Sequence, residues 1–388
     1  MIQREIAAKA QLLSTKFPIV ALTGPRQSGK STLVKNLFSG KPYISLEDPD
    51  IQLLAQNDPR GFLSNYPNGA ILDEIQRVPS LFSYIQTIVD AEDKTGLFIL
   101  SGSQNFLLMQ NISQSLAGRV ALLKLLPFSY AELQATQYKD SSIDEWLFKG
   151  FYPRIYDKNI EPEDYYPNYI RTYLERDVRS LKNINDLSLF NRFMKLCAAR
   201  VGTVLNYASL ANDVGVAVNT IKAWMSVLEA SYVVYLLQPY HQNYNKRLIK
   251  SPKIYFYDTG LACALLNIQT TEQVSTHYLR GSLFENLIVS EVLKHFYNQG
   301  KEAPCYFWQD QVGKEIDLIV EMPTAVKAFE IKSSMTLNTT FFKNLTYWKG
   351  LVTPETQVET HVIYAGNQAF KTGDGHFLRL EDVKNYLS

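Results

Sequence analysis

The stretch Gly24-Pro25-Arg26-Gln27-Ser28-Gly29-Lys30-Ser31 lies between an apolar run, Ile19-Val20-Ala21-Leu22, and a segment of helical spacing, Thr32-Leu33-Val34-Lys35-Asn36-Leu37-Phe38. A buried strand, a glycine-bounded loop and a helix in that order constrain the fold more than any other feature of the chain. Glycines let the loop curl until several backbone N–H groups face one anion, and the positive end of the helix dipole adds to the attraction. In that geometry Lys30 reaches the β- and γ-phosphates of a nucleotide, and the Ser31 hydroxyl holds Mg²⁺. Gly24, Pro25, Arg26, Gln27, Ser28, Gly29, Lys30, Ser31 and Thr32 are therefore the expected nucleotide-binding set. A glycine-rich turn that binds nothing is the alternative, and the full spacing in its strand–helix context argues against it.

At 388 residues the chain exceeds one ordinary core, so two or three domains are expected. Apolar residues at 46% and charged residues at 20% are the composition of a globular protein. The formal charge is +1, so contact with nucleic acid requires a local basic patch. Met1-Ile2-Gln3-Arg4-Glu5-Ile6 carries acid and base without an apolar core, so no secretory leader is expected. No window approaches the ~18 uninterrupted apolar residues of a membrane helix, so no membrane partner is expected. The three cysteines, Cys197, Cys263 and Cys305, are far apart and odd in number, which fits buried thiols in a reducing, cytoplasmic compartment.

A second chemical motif follows the loop. Ala70-Ile71-Leu72-Asp73-Glu74 reads as an apolar strand ending in two carboxylates. One further strand-and-helix unit, around Tyr43-Ile44-Ser45-Leu46 and Ile51 to Leu54, separates it from the glycine loop. Asp73 is placed to complete the shell of Mg²⁺, and Glu74 to orient or deprotonate an attacking water. The next strand, Leu97 to Leu100, ends at Ser101-Gly102-Ser103-Gln104, where either Ser101 or Ser103 could meet the γ-phosphate or the lytic water, a simple strand-end turn being the other reading. Arg119 is a candidate for stabilising charge on the transferring phosphoryl group, from the same subunit or from a neighbour in a homo-oligomeric ring. A surface pair with a carboxylate is its other reading.

These motifs, with Leu72 to Pro79, Gly118-Arg119-Val120 and Leu126-Pro127-Phe128-Ser129-Tyr130-Ala131-Glu132-Leu133, resemble the prokaryotic AAA-14-type ATPases. In that family the ATPase is fused to a C-terminal domain of the DUF4143 kind. The resemblance continues in Lys149-Gly150-Phe151-Tyr152-Pro153, where the family usually has Gly-Gly, and in Tyr173-Leu174-Glu175-Arg176-Asp177. It implies ATP as the nucleotide. The absence of an Asn/Thr-Lys-x-Asp guanine-reading motif after Asp73-Glu74 agrees.

Farther on, Asn206 to Gly215 reads as a short helix closing on glycine, and Ala217 to Met225 as a second helix. Ala211, Gly215, Ile221 and Trp224 have helix-turn-helix spacing, and an apolar hairpin at Tyr232 to Leu237 would supply a wing. Asn219, Thr220 and Lys222, with Lys246, Arg247, Lys250 and Lys253 beyond the wing, are thin for phosphate neutralisation. DNA contact and pure scaffolding both stay open, and Arg176-Asp177 reads better as a structural pair than as a communicating one.

In the last third, Glu285 sits on an amphipathic helix, and strands follow at Cys305 to Trp308, Glu315 to Val320 and Lys327 to Ser333. Side chains alternate along a strand, so Glu330 and Lys332 share a face, and neighbouring strands can bring Asp317 to them. The order Glu285, Asp317, Glu330-Ile331-Lys332 resembles the PD-(D/E)xK nuclease superfamily. That resemblance implies Glu285, Asp317 and Glu330 as ligands of Mg²⁺ or Mn²⁺, and Lys332 as the group that positions water. A solvated sheet face, or an inert binding module, is the alternative.

The expected fold is α/β in four parts. Residues 1–135 form an AAA-type P-loop parallel sheet, 136–187 a helical linker or lid, 188–260 a winged helix, and 261–388 an α/β restriction-endonuclease-like domain. The expected function is Mg²⁺-dependent ATP hydrolysis coupled to domains that act on DNA, or a nucleotide-dependent switch whose C-terminal domain does not cut.

Overall fold

A computed structural model describes residues 2–103, 115–139, 141–174, 186–240, 251–353 and 355–387. Strand β1 (Ile19–Thr23) is buried at every position. An unbroken apolar run of that kind is what a strand covered on both faces requires. Its sheet runs β2 (Tyr43–Ser45), β3 (Ile71–Asp73), β4 (Phe98–Ser101), β1, β5 (Val120–Lys124), and every pairing is parallel. Parallel strands present their carboxyl ends along one edge, where ligands of open α/β sheets collect. The registers Asp73↔Ser101 and Leu22↔Ser101 bring the ends of β3 and β4 and the loop after β1 to that edge. Ile6 and Ala10, flanking and on the helix Ala7–Ser14, pack with Val20, Leu22 and Leu33 on one face, while Leu72, Phe82 and Leu100 fill the other.

The middle of the chain is helical. A buried set of rings, Trp146, Phe151, Tyr152, Tyr165, Tyr166 and Tyr169, packs around Asp258. That carboxylate accepts the Phe151 N–H at 2.7 Å, the Tyr166 hydroxyl at 2.7 Å and the Leu261 N–H at 2.9 Å. Asn206 caps the helix Tyr207–Val214 by accepting the Ser209 N–H, and Gly215, at φ 88°, ends it before the helix Val218–Ala230.

The expected hairpin at Tyr232 to Leu237 is instead a single strand, β6 (Val234–Pro239). That run contains no turn residue, so its chain has no place to reverse. The antiparallel partner of β6 is β7 (Lys253–Phe256), and β6 also pairs in parallel with β8 (Cys305–Gln309). The second sheet is mixed. It is ordered β12 (Phe370–Lys371), β13 (His376–Leu378), β11 (Val358–Tyr364), β10 (Val326–Lys332), β9 (Glu315–Glu321), β8, β6, β7. It therefore crosses position 260, because the edge of β8 is completed by β6 and then β7. The helix Arg280–Asn298 packs against this sheet through Leu283, Phe284, Leu287 and Ile288. Among the described residues no helix is long and apolar enough to cross a membrane. The α/β class expected from the sequence is the one observed, as a parallel N-terminal sheet, a helical middle and a mixed C-terminal sheet.

Candidate functional site

Gly24 has φ +147°, and a Cβ there would stand 2.0 Å from the Leu125 carbonyl oxygen, so only glycine lets β1 run into the loop. Gly29, at φ 92°, opens the helix Lys30–Leu37. Between them, the Lys30 ammonium donates to the carbonyls of Gly24 at 3.0 Å and Pro25 at 2.8 Å. The Ser31 hydroxyl donates to Asp73 Oδ2 at 2.7 Å. That oxygen also accepts the Tyr43 hydroxyl at 2.5 Å, and Asp73 Oδ1 accepts Ser101 Oγ at 2.5 Å. Burial, and then Asp73, push the Tyr43 phenol well above its ordinary range, so it stays a donor. Glu74 takes the left-handed conformation, φ 54°, at the strand tip, and its carboxylate accepts from Ser103 Oγ at 3.1 Å and from the Gln76 amide. Ser101 thus faces Asp73, and Ser103 faces Glu74.

Two polar atoms of the loop, Gln27 Oε1 and Ser28 Oγ, are buried with no hydrogen-bond partner among the described residues. A cavity of about 1020 Å³ faces the loop. Arg26, Lys30, Ser31 and Thr32 line it from one side, and Gln11, Pro153 and Arg154 from others. Its size suits a nucleotide. Arg26 reaches Glu47 at 3.8 Å.

Arg4 is a part of this site that sequence reasoning missed. Its guanidinium, in a residue 8% exposed, donates to the Ser28 carbonyl at 2.8 Å, to the Leu126 carbonyl at 2.6 Å and to both Glu132 oxygens at 3.1 Å. No local spacing signals a residue that acts across 128 positions.

Arg119 is not brought to this edge. The Ile19 N–H donates to the Arg119 carbonyl, which places Arg119 at the start of β5, one strand length of roughly 15 Å from the loop. There it is held bidentately by Asp90, at 2.5 and 2.8 Å. A role at its own subunit's nucleotide has no geometric basis, because the sheet lies between them.

The C-terminal candidates do converge. Lys332 Nζ lies 2.6 Å from Glu330 Oε1 and 3.8 Å from Asp317 Oδ2, and Asp317 Oδ2 accepts the Ile331 N–H at 2.7 Å. Glu285 Oε1 accepts Lys253 Nζ at 3.0 Å and the Tyr255 hydroxyl at 2.5 Å. Glu315 was not singled out in the sequence, yet oxygens of Glu285, Glu315 and Asp317 lie within 4.8 Å of one another. The signal was present, since Glu315 and Asp317 are two apart on β9 and share a face. Lys253, expected as a basic residue beyond the wing, is instead an internal ion-pair partner. Its side chain is 1% exposed and is bonded to Glu285 and Glu315, so it faces no phosphate backbone. Lys246, Arg247, Lys250 and Arg176-Asp177 lie outside the described residues. Asn219 and Lys222 are exposed on their helix.

Burial lifts the Glu285 carboxyl to about 7. Burial and the neighbouring Asp317 lift Glu330 to about 8. Burial disfavours the Lys332 ammonium, but Asp317 and Glu330 outweigh it and raise its pKa above the ordinary value. Glu330 Oε2 is buried with no partner among the described residues, the donor a hard cation would take.

Residues 16–134 match the AAA domain family AAA_14, residues 140–272 a domain of unknown function, DUF8612, and residues 280–383 another, DUF4143. The uncharacterized proteins Rv2008c of Mycobacterium tuberculosis and Mb2031c of Mycobacterium bovis are each 32% identical over 339 residues, spanning 86% of this chain and 74% of theirs. The chain belongs to the AAA_14–DUF4143 family. Its loop, Gly24 to Thr32, and its Asp73-Glu74 pair both fall inside the AAA domain, and Glu285, Glu315, Asp317, Glu330 and Lys332 inside DUF4143. Among solved structures, the Walker-type ATPase PABY2304 of Pyrococcus abyssi is similar at 14% identity over 68% of this chain and 96% of that one. Its TM-score is 0.39.

Proposed function

We propose that this AAA-domain protein binds ATP with Mg²⁺ at Gly24 to Thr32, hydrolyses it, and couples that cycle to a DUF4143 domain that acts on DNA phosphodiesters. The observation that carries the reading is the convergence of Lys30, Ser31, Asp73 and Glu74 at the carboxyl edge of one parallel sheet. Backbone N–H groups of the loop and the Lys30 ammonium bind the phosphates, and Lys30 exchanges its two loop carbonyls for phosphate oxygens. Ser31 and Asp73 would hold Mg²⁺, which supplies charge neutralisation on the β- and γ-phosphates. Glu74, fixed by Ser103 and Gln76, orients the attacking water and accepts its proton at a carboxylate oxygen. Arg119 serves only a neighbour's nucleotide, if the chain assembles into a ring.

In the C-terminal domain, Glu285, Asp317 and Glu330 would hold Mg²⁺ or Mn²⁺, with Glu315 as a fourth carboxylate, and the metal supplies Lewis acidity at a phosphodiester. Lys332 positions the attacking water. The helices 207–230 supply DNA contact or scaffolding.

A second reading is favoured by one observation: the Lys253 ammonium lies between Glu285 and Glu315, where a metal's charge would fall. In it the protein is a nucleotide-dependent switch and the cluster does not cut. Purified chain is assayed for ATP turnover as wild type, K30A and E74Q. Both variants are expected to lose turnover, and unchanged rates would overturn the ATPase reading. Plasmid nicking with Mg²⁺ or Mn²⁺, with and without ATP, against E330A/K332A separates the two readings: nicking lost in the variant supports the nuclease, and no nicking in any arm supports the switch.

A further inference from the structure

Tyr232 stands where the helix Val218–Ala230 gives way to β6, and its backbone is left-handed, with φ 56°. Its N–H bonds the Glu229 carbonyl at 3.0 Å, and the Val233 N–H bonds the Leu228 carbonyl at 2.9 Å. That pair of bonds closes a helix through a left-handed residue, a position that favours glycine because a Cβ is crowded there. A large β-substituted residue at this position needs a reason. The residue is 3% exposed, and its hydroxyl pairs with Thr23 Oγ1 at 2.7 Å across 209 positions of sequence.

Thr23 ends β1 and immediately precedes Gly24. Its Oγ1 also donates to the Leu123 carbonyl at 3.3 Å, and its carbonyl accepts the Leu125 N–H at 2.8 Å. Tyr232 therefore grips the strand end on which the phosphate loop is mounted. In the other direction, β6 begins two residues after Tyr232 and pairs with β7 in the registers Tyr235↔Tyr255 and Leu237↔Lys253. Tyr255 and Lys253 both bond Glu285. One side chain thus joins the end of β1 to the strand pair that holds the carboxylate cluster.

We infer that Tyr232 is a positioning residue that couples nucleotide in the Gly24–Thr32 loop to the hold of Lys253 on Glu285 and Glu315. The inference rests on the ATP reading above and names the regulation of the same two sites. Nucleotide that tightens the loop shifts Thr23, and Tyr232 passes the shift to β6 and β7. By reciprocity, loosening the Lys253 contacts must change the affinity for nucleotide.

The test is a double-mutant cycle on the full chain, titrated with the fluorescent analogue mant-ATP in the presence of Mg²⁺, with melting curves for every variant. K253M is expected to change mant-ATP affinity by roughly fivefold or more when Tyr232 is present, and by less than about twofold in the Y232F background. T23V is expected to reproduce Y232F. If K253M does not fold, E315Q, which keeps the lysine and one acceptor oxygen, makes the same comparison. A hydroxyl with a purely structural role would lower the melting temperature and leave the effects additive, which would overturn the coupling while the ATP reading stands. Wild-type chain that takes up no mant-ATP would overturn both.

Discussion

Arg4 allows a perturbation of the nucleotide site that leaves the loop sequence untouched. In R4M the stem keeps its volume, but the Ser28 and Leu126 carbonyls and the Glu132 carboxylate lose the guanidinium at once. Glu132 keeps the Ser129 N–H at 2.9 Å and the Glu5 N–H at 2.7 Å, so its charge is not wholly abandoned. Removing one partner of a buried, hydrogen-bonded pair costs about 3–5 kcal/mol. At about 4 °C per kcal/mol, between the values for units of 100 and of 150 residues, the transition of the AAA part falls by roughly 12–20 °C. The Ser28 bond to a charged donor contributes about 1.5–3 kcal/mol, and if half of it serves to hold the loop in its binding shape, ATP affinity falls by roughly 4- to 12-fold. Differential scanning fluorimetry and mant-ATP titration read the two effects separately. E132Q, which retains an acceptor for Arg4, is expected to lose less stability than R4M and to keep nucleotide affinity nearer wild type. An R4M protein that melts within 2 °C of wild type, a shift of about 1 kcal/mol or less, and binds mant-ATP equally well would refute the reasoning.

G150A would place a Cβ 2.2 Å from the Tyr166 hydroxyl and 2.4 Å from Asp258 Oδ1, at φ +62°. Strain and overpacking together are expected to cost about 3 kcal/mol or more, read as a lower melting temperature and loss of soluble expression. With nucleotide absent, Mn²⁺ taken up at the proposed cluster would displace protons from Glu285 and Glu330, whose pKa values stand at about 7 and about 8. Apparent Mn²⁺ affinity by calorimetry is therefore expected to rise with pH through that range, by up to about tenfold per unit for each proton displaced, and E330Q to flatten the slope. Without metal, the folded chain holds these protons where the unfolded chain, with its carboxyls near 4.5, has released them. Stability is thus expected to fall as pH rises from about 4.5 to 8, which pH-resolved melting checks. R119A is expected to leave ATP turnover of dilute protein within about twofold, and a loss near 10³-fold confined to concentrations at which the chain assembles would mark it as a residue acting on a neighbour's nucleotide.

The parts of the site that could be read in sequence are those encoded within one turn or one strand. Gly24, Gly29, Lys30 and Ser31 announce themselves because loop geometry fixes their spacing, and Asp73-Glu74 because a strand ends there. Glu330 and Lys332 follow from alternation on β10. Contacts that depend on chain return do not show. Arg4 meets Ser28 and Glu132 only after the sheet is built, and Lys253 becomes a buried partner of Glu285 only because β7 closes the far edge of the second sheet. Tyr232 to Leu237 looked like a hairpin because extended propensity says nothing about which strand answers it.

The second sheet also bears on how such a chain can be inherited. Strands β6 and β7 fall inside the stretch matched by DUF8612, and β8 to β13 inside that matched by DUF4143, yet they form one ladder in which the Tyr240 N–H bonds the Phe307 carbonyl at 2.6 Å. A recombination that exchanged the C-terminal domain at the boundary between these matches would strand β8 with an open edge, a template for aggregation, and would leave Glu285 and Glu315 without Lys253. A rearrangement that keeps this ladder whole carries β6 and β7 along, and so begins no later than Val234, upstream of the DUF4143 match.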